Sequence, residues 1–387
     1  MTGGVEAILG AHAHQLREAG HDVKVFAGRG DAELIPELDS RHPKVERVAQ
    51  DLAAGEDVSE PLAQLRERLR ALLSEQLGDR EVVLVHNVMT MPFNLAATAA
   101  LADLALPKVA WTHDLAWVNY RYAAYRRPVW PTSLLGRAQD GTTYVAISQV
   151  RQAEICAVMG LAADRVPVVP NGIEPARLWS LSRHVQQLAA QGGFAGADPL
   201  ILAPVRVTRR KRLELALDAA ASLRSRQPEL RLVVTGPLGP HSNDNVAYWQ
   251  ELARLRSRMG LQAVVSFLHE QAEPGAPHAV TEEHVFQLYR MADVILLPSE
   301  SEGFGLPVLE AALNRVPLVC ADLPVLCEPG PGNFTFPTDA TGEEVAQTVA
   351  QALSTPAARL RRSVLRTFAW PKVVAAIEQV MERAIGG

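Results

Sequence analysis

Short uninterrupted apolar runs alternate with stretches of helical periodicity along most of the chain. The runs at 82–85, 144–147, 200–202, 232–234, 264–267 and 294–297 are almost free of polar residues. Continuous rather than alternating apolar runs predict strands buried on both faces, as in a parallel sheet. Between them, Leu62, Leu65, Leu69, Leu72 and Leu73 recur at helical spacing with Arg66, Glu67, Arg68 and Arg70 interleaved, which predicts an amphipathic helix over 61–77. Further helices are predicted over 212–225 and 245–259. Strand followed by helix followed by strand implies right-handed βαβ units and a doubly wound α/β fold.

The N-terminus departs from that rhythm. Thr2, Gly3, Gly4, Val5 and Glu6 read as a loop opening a helix that runs through Ile8, Leu9 and Leu16 to a C-cap at Gly20. Residues 22–26 then read as a strand. A Rossmann half places a strand before such a loop, and the sequence supplies none. The first N-terminal strand is therefore expected to be missing, whether through a late start, a trimmed chain or a genuine loss. As that strand is normally central, two exposed sheet edges are expected in its place.

A chain of 387 residues exceeds one ordinary hydrophobic core and predicts two domains. The glycine-rich stretch at 191–196 separates one α/β set from another, so the expected division is an N-terminal domain over 1–193, a C-terminal domain over 194–366, and a terminal segment over 367–387. With 48% apolar and 21% charged residues the composition is that of a soluble globular protein. A net charge of -5 gives no reason to expect nucleic acid as a partner. Three cysteines without a CxxC pair suit neither a disulfide framework nor a zinc site and point to a reducing compartment. With no apolar run long enough to span a bilayer and no signal-like N-terminus, a cytoplasmic location is expected, with peripheral membrane contact left open.

The strongest chemical signal follows the run at 294–297. Glu302 lies in a loop and Glu310 within the helix that the loop opens, with seven residues between them. Gly303 and Gly305 let a ligand approach the backbone closely. The helix start, with Pro307 in its first turn, offers free N–H groups and partial positive charge to a diphosphate. Carboxylates on either side of such an anion site suit hydroxyls, one those of a sugar and the other those of a ribose. A plain strand–loop–helix turn would explain an isolated GxG, but the whole block from Pro298 to Ala311 favours a ligand site.

A second signal follows the run at 200–202, where Arg206, Arg209, Arg210, Lys211 and Arg212 place five cations in seven residues. Cations are disfavoured at a helix N-terminus, so something anionic is expected there. Arg206 and Lys211 are the expected phosphate contacts, with Arg209, Arg210 and Arg212 mostly solvated. A third signal is His113 at a strand end, placed to hydrogen-bond a sugar hydroxyl or a carbonyl. Asn87 and Asn171 read as turn caps. No DxD pair follows an apolar strand and no cluster has metal-ligand spacing, so no metal is expected, and the cations would stabilise the leaving group instead.

Taken together these residues resemble the retaining glycosyltransferases of family four, and the resemblance covers essentially the whole chain. It rests on Gly3, Gly4, Val5 and Glu6; on His113; on Val169, Pro170, Asn171 and Gly172; on the Arg206–Lys211 spacing; on the Glu302–Glu310 pair; and on Phe368, Ala369 and Trp370. It implies the GT-B fold, with two Rossmann-like domains facing a central cleft and a C-terminal helix crossing back to the first domain. It further implies that Gly3 and Gly4 lie near the donor phosphates, that His113 meets the donor sugar, and that Arg206 and Lys211 hold the diphosphate. Glu302 would bind sugar hydroxyls, Glu310 the ribose, and Gly303, Phe304, Gly305 and Leu306 would line phosphate and sugar through backbone N–H groups. The implied reaction retains anomeric configuration by a same-face route. No cofactor is implied; the donor would be a nucleotide sugar such as GDP-mannose or UDP-glucose, and the acceptor a sugar, polyol or lipid-linked hydroxyl. A nucleotide-sugar epimerase on this fold and a non-catalytic nucleotide-sugar binding protein are the alternatives.

Overall fold

The computed structural model describes residues 4–236, 243–271, 280–328 and 332–386. The chain divides into two compact units, one formed by 1–173 with 367–387 and the other by 174–366.

The first unit begins with a helix over Gly4–Glu18. Gly20 follows in the left-handed region at φ +97°, as the sequence suggests. The expected strand at 22–26 is largely absent. Only Phe26–Ala27 (β1) forms a ladder, and it pairs in parallel with Glu33–Leu34 (β2) apart from the main sheet. Residues 22 and 23 are held by side chains instead: Arg17 donates to the Val23 carbonyl at 2.6 Å and Arg80 to Asp22 Oδ2 at 2.6 Å. A segment without a neighbouring strand has no ladder to join, which explains the difference.

The main sheet of this unit is parallel, in the order Val83–His86 (β3), Lys108–Thr112 (β4) and Thr142–Ala146 (β5). Among the described residues β3 is an edge. One face packs against the helix Ser59–Gln76 through Leu62, Leu65, Leu69 and Leu73. The other carries Val109, Trp111 and Val145 under Leu16 of the first helix and under Trp370, Val373 and Ile377 of the terminal helix Trp370–Gly386. The returning chain is tied where it re-enters, by Ile173 N–H donating to the Phe368 carbonyl at 2.7 Å.

The second unit holds a six-stranded parallel sheet. Its strands are Leu200–Ala203 (β6), Arg231–Val234 (β7), Val265–Phe267 (β8), Val294–Leu297 (β9), Leu318–Ala321 (β10) and Phe334–Phe336 (β11). The order across the sheet is β11-β10-β9-β6-β7-β8. The chain therefore builds outward from β6, returns to its other side with β9 and builds outward again. The boundary between β6 and β9 is the topological switch point, where α/β sheets open a crevice beyond their strand ends.

The division falls at 173/174, not at the glycine-rich stretch near 193. The helix Arg183–Gln191 buries Val185, Leu188 and Ala189 in the core of the second unit, and Ser182 N–H donates to Gln287 Oε1 at 2.7 Å. The helix is amphipathic, but periodicity does not say which core a helix covers.

Gly172 fixes the docking of the terminal helix, because a methyl group there would come 2.3 Å from the buried ring of Trp370. A rigid aromatic in a close-packed core cannot yield at little cost. Gly172→Ala is expected to destabilise the first unit by about 1–3 kcal/mol. Urea denaturation followed by tryptophan fluorescence checks this, and an unchanged midpoint would contradict it.

Candidate active site

Both signals in the second half of the chain hang from the two strands that flank the switch point. After β6 the backbone passes Arg206 and makes a short 3-10 turn at Arg209–Lys211. After β9 it runs through residues 298–305 into the helix Leu306–Leu313. A backbone bond joins the two loops, Glu300 N–H donating to the Arg210 carbonyl at 2.8 Å.

Glu302 is the centre of this junction. Its side chain is only 8% exposed, and that of Lys211 is 9% exposed. Oε1 accepts hydrogen bonds from the Lys211 ammonium and, at 2.6 Å, from the hydroxyl of fully buried Ser299. Arg210 reaches Oε2 at 3.5 Å and the Ser301 carbonyl at 3.2 Å. Burial pushes the Lys211 ammonium below the ordinary lysine range, against the raising effect of Glu302. A buried carboxylate needs this degree of pairing, since a lone one would carry a large desolvation penalty.

Gly305 stands at φ +83° and caps the helix N-terminus, with Leu306 next and Phe304 largely exposed beside it. Gly303 borders open space, a methyl group there meeting nothing within 4 Å. Glu310 lies in the helix, and its Oε2 accepts from the Tyr289 hydroxyl at 2.7 Å. Arg206 is exposed and its guanidinium makes no hydrogen bond or ion pair among the described residues. Its backbone packs on Gly236, where a methyl group would sit 2.6 Å from the Arg206 Cα. Arg209 and Arg212 are engaged elsewhere, the first with Glu251 at 2.7 Å and the second with the Thr338 carbonyl. Arg210 keeps a side chain that is 54% exposed while also reaching the Glu302 loop. The sequence does not single out Ser299 or Tyr289; Ser299 sits in the block from Pro298 to Ala311, whereas nothing local marks Tyr289.

In the first unit, His113 is buried at the end of β4. Asn87, at φ +61°, accepts the backbone N–H groups of His113 at 2.8 Å and Asp114 at 3.0 Å through one side-chain oxygen. His113 Nε2 lies 3.2 Å from His86 Nδ1, and the His86 ring is 5.1 Å from that of His12. Burial lowers the pKa of His113 first of all, with Arg151 lowering it further and Asp114 opposing. Among the described residues neither ring nitrogen of His12 has a hydrogen-bond partner. Gly3 and residues 237–242 lie outside the described residues; Gly4 is described only as the first residue of its helix.

Two predictions follow from local geometry. Gly305→Ala combines a left-handed backbone with a contact 2.8 Å from Leu326 Cδ2 and is expected to destabilise by about 1–3 kcal/mol. Gly303→Ala is expected to stay within about 0.5 kcal/mol of the parent. Paired thermal melts check the contrast, and equal losses would refute it.

The second concerns acid. Folded His12, its pKa lowered to about 4 by burial and then by His113, and His86, lowered to about 3 by burial and then by its histidine neighbours, stay neutral well below the ordinary value of 6.5. The unfolded chain protonates both near 6.5, so it binds more protons in that window and stability is lost as the pH is lowered. The loss between about pH 7 and pH 5 is on the order of 2 kcal/mol for each histidine. His12→Leu should flatten part of that slope in denaturation at the two pH values; a slope identical to the parent would contradict it.

Comparison with known proteins adds the following. Residues 2–177 match the model Glycosyltransferase Family 4, and residues 185–363 match Glycosyl transferases group 1. The D-inositol 3-phosphate glycosyltransferase of Nocardia farcinica is 26% identical over 333 residues, covering 83% of this chain and 70% of that protein. The protein of the same name from Mycolicibacterium smegmatis is 27% identical over 403 residues, covering 99% and 87%. Among solved structures, Anabaena HepE in complex with UDP aligns with a TM-score of 0.37 at 19% identity, covering 81% of this chain and 82% of that one.

Proposed function

The chain belongs to the family-4 glycosyltransferases, with the two parallel α/β units of the GT-B fold, and from that premise we propose that it moves a hexose from a nucleoside diphosphate sugar to a hydroxyl acceptor with retention of configuration. One observation carries this most directly. At the switch point of the second unit, a buried carboxylate, a buried ammonium and a helix N-terminus converge on loops joined backbone to backbone.

Each group has a chemical part in this proposal. Arg206, free among the described residues, and Lys211 neutralise the charge that develops on the departing diphosphate. The N–H groups from Gly303 to Leu306, at the start of the helix, complete that anion site. Glu302 orients sugar hydroxyls and Glu310 the ribose. No side chain is assigned as a nucleophile; the leaving phosphate helps deprotonate the acceptor on the same face. His113, kept neutral by burial, offers a hydrogen-bonding ring nitrogen rather than a charge, and its contact with the donor sugar is proposed from the family resemblance alone. The domain assignment proposed is an acceptor-side unit ending at 173 and resuming at 367, and a donor unit over 174–366. The names of these relatives make inositol 3-phosphate the first acceptor to try.

No divalent ion is required in this scheme, because cations of the chain fill that role. A reducing, cytoplasmic setting suits the three free thiols, of which Cys320 is pushed up to about 12 by burial and is thus inert. Among the described residues no helix is long and apolar enough to cross a membrane.

The experiment is a thermal-shift series with UDP, GDP and ADP, followed by transfer assays from the matching sugar nucleotides in the presence and absence of a chelator. At least one nucleotide should raise Tm through selective binding to the native state. Lys211→Ala and Glu302→Gln should each lower turnover by about 100-fold or more while the nucleotide-free melt stays cooperative. Donor binding without transfer to any acceptor, near-parental turnover in both variants, or loss of activity with chelator would each overturn the corresponding part.

A further inference from the structure

Glu310 is held unlike its partner in the motif. Glu302 is surrounded by cations and a hydroxyl. Glu310 pairs with no cation among the described residues. What fixes its carboxylate is the phenol of Tyr289, on the helix Glu282–Met291, which is fully buried and donates to Oε2 at 2.7 Å. The direction of that bond is not in doubt chemically: burial, and after it Glu310 itself, push the Tyr289 hydroxyl far above its ordinary range, so it stays protonated. Asn314 binds the Glu310 main-chain carbonyl at 2.9 Å and leaves the side chain alone.

We propose that Tyr289 is a positioning residue for ribose recognition, clamping Oε2 of Glu310 so that Oε1 faces the nucleotide as a fixed acceptor for the ribose diol. This rests on the assignment of Glu310 to the ribose. A carboxylate offers about four acceptor positions, and one phenolic donor occupies one of them. A neutral donor also leaves the charge of Glu310 intact, where an ammonium would compensate it. Hydrogen bonds to a charged acceptor are the stronger kind, so a pre-oriented, uncompensated carboxylate discriminates strongly for a ligand hydroxyl. A site built to bind a hydroxyl rejects the analogue lacking it because its own polar group is left unpaired. Freed from Tyr289, the half-buried Glu310 side chain would turn to water, and the discrimination would fade.

The test is calorimetric binding of UDP against 2′-deoxy-UDP, and of GDP against 2′-deoxy-GDP, to the parent, Tyr289→Phe, Glu310→Ala and the double variant. The parent should prefer the ribo form by about tenfold or more for the nucleotide it binds. Tyr289→Phe should cut that ratio to about threefold or less, and the double variant should match Glu310→Ala, since the two residues act as one unit. Circular dichroism verifies the fold of each variant. If Tyr289→Phe weakens both forms equally and keeps the parental ratio, Tyr289 is merely a buried tyrosine and the inference is overturned. If Glu310→Ala keeps the ratio as well, the ribose assignment itself falls, and this inference with it. Should the phenylalanine variant not fold, the ratio in Glu310→Asp decides: a carboxylate withdrawn by one methylene loses the Tyr289 clamp and should lose the ratio, whereas an undiminished ratio overturns the clamp.

Discussion

A carboxylate that is 8% exposed at the end of a parallel sheet demands partners, and the second unit is arranged around supplying them to Glu302. The partners come from a segment some 90 positions earlier in the chain, Lys211 and Arg210. They can reach Glu302 only because β9 returns to lie against β6 after β7 and β8 have been laid on the other side. The crossover that makes the switch point thus also brings the two charged loops together. Removing Glu302 would leave the Lys211 ammonium buried without a counter-charge among the described residues, which is the costly case for ion pairs, whereas removing Lys211 would leave Glu302 with the Ser299 hydroxyl and the long Arg210 contact. The Glu300 to Arg210 backbone bond holds the loops in register independently of any side chain.

Much of this was legible from sequence, for identifiable reasons. A fully buried parallel strand needs an unbroken apolar run, and β6 and β9 announce themselves that way; β3 carries such a run too, although it is an edge and only Val85 in it is buried. The motif around Glu302 and the cations around Lys211 each sit at a strand end, so their chemistry could be stated before their proximity was known. What sequence did not carry is tertiary. The helix Arg183–Gln191 is plainly amphipathic, yet only packing assigns it to the second core. Tyr289 looks like one more apolar position on a helix face, and its hydroxyl acquires meaning only from the carboxylate 21 residues later that it touches. Asp22 to Phe26 carries a strand pattern, and the pattern could not reveal that it would join no main sheet.

The histidines of the first unit follow the opposite logic. The rings of His12, His86 and Trp111 pack within 4.6 to 6.1 Å of one another, His12 edge-on to Trp111 and His86 stacked on it, without cations or carboxylates among them, so burial dominates and the imidazoles stay neutral. Satisfied polar networks rigidify, whereas an imidazole with both nitrogens unpartnered makes its surroundings sensitive to protons. His113, at the outer end of this stack, inherits neutrality from the same burial while Asn87 pins its backbone.

The contrast between the two motif carboxylates bears on how each would meet a ligand. Oε1 of Glu302 already takes two donors, and Oε2 takes Arg210 at 3.5 Å from a side chain that is 54% exposed. The long, solvated contact is the weakest of the three, since an exposed ion pair contributes little. A hydroxyl arriving at Glu302 would therefore displace Arg210 at small penalty while Lys211 and Ser299 keep the carboxylate in place. At Glu310 no such displacement would be needed, because Tyr289 takes one oxygen and nothing binds the other among the described residues. Exchange at one carboxylate and vacancy at the other are both cheaper than desolvating two free side chains, which is what a site made of flexible surface acids would require.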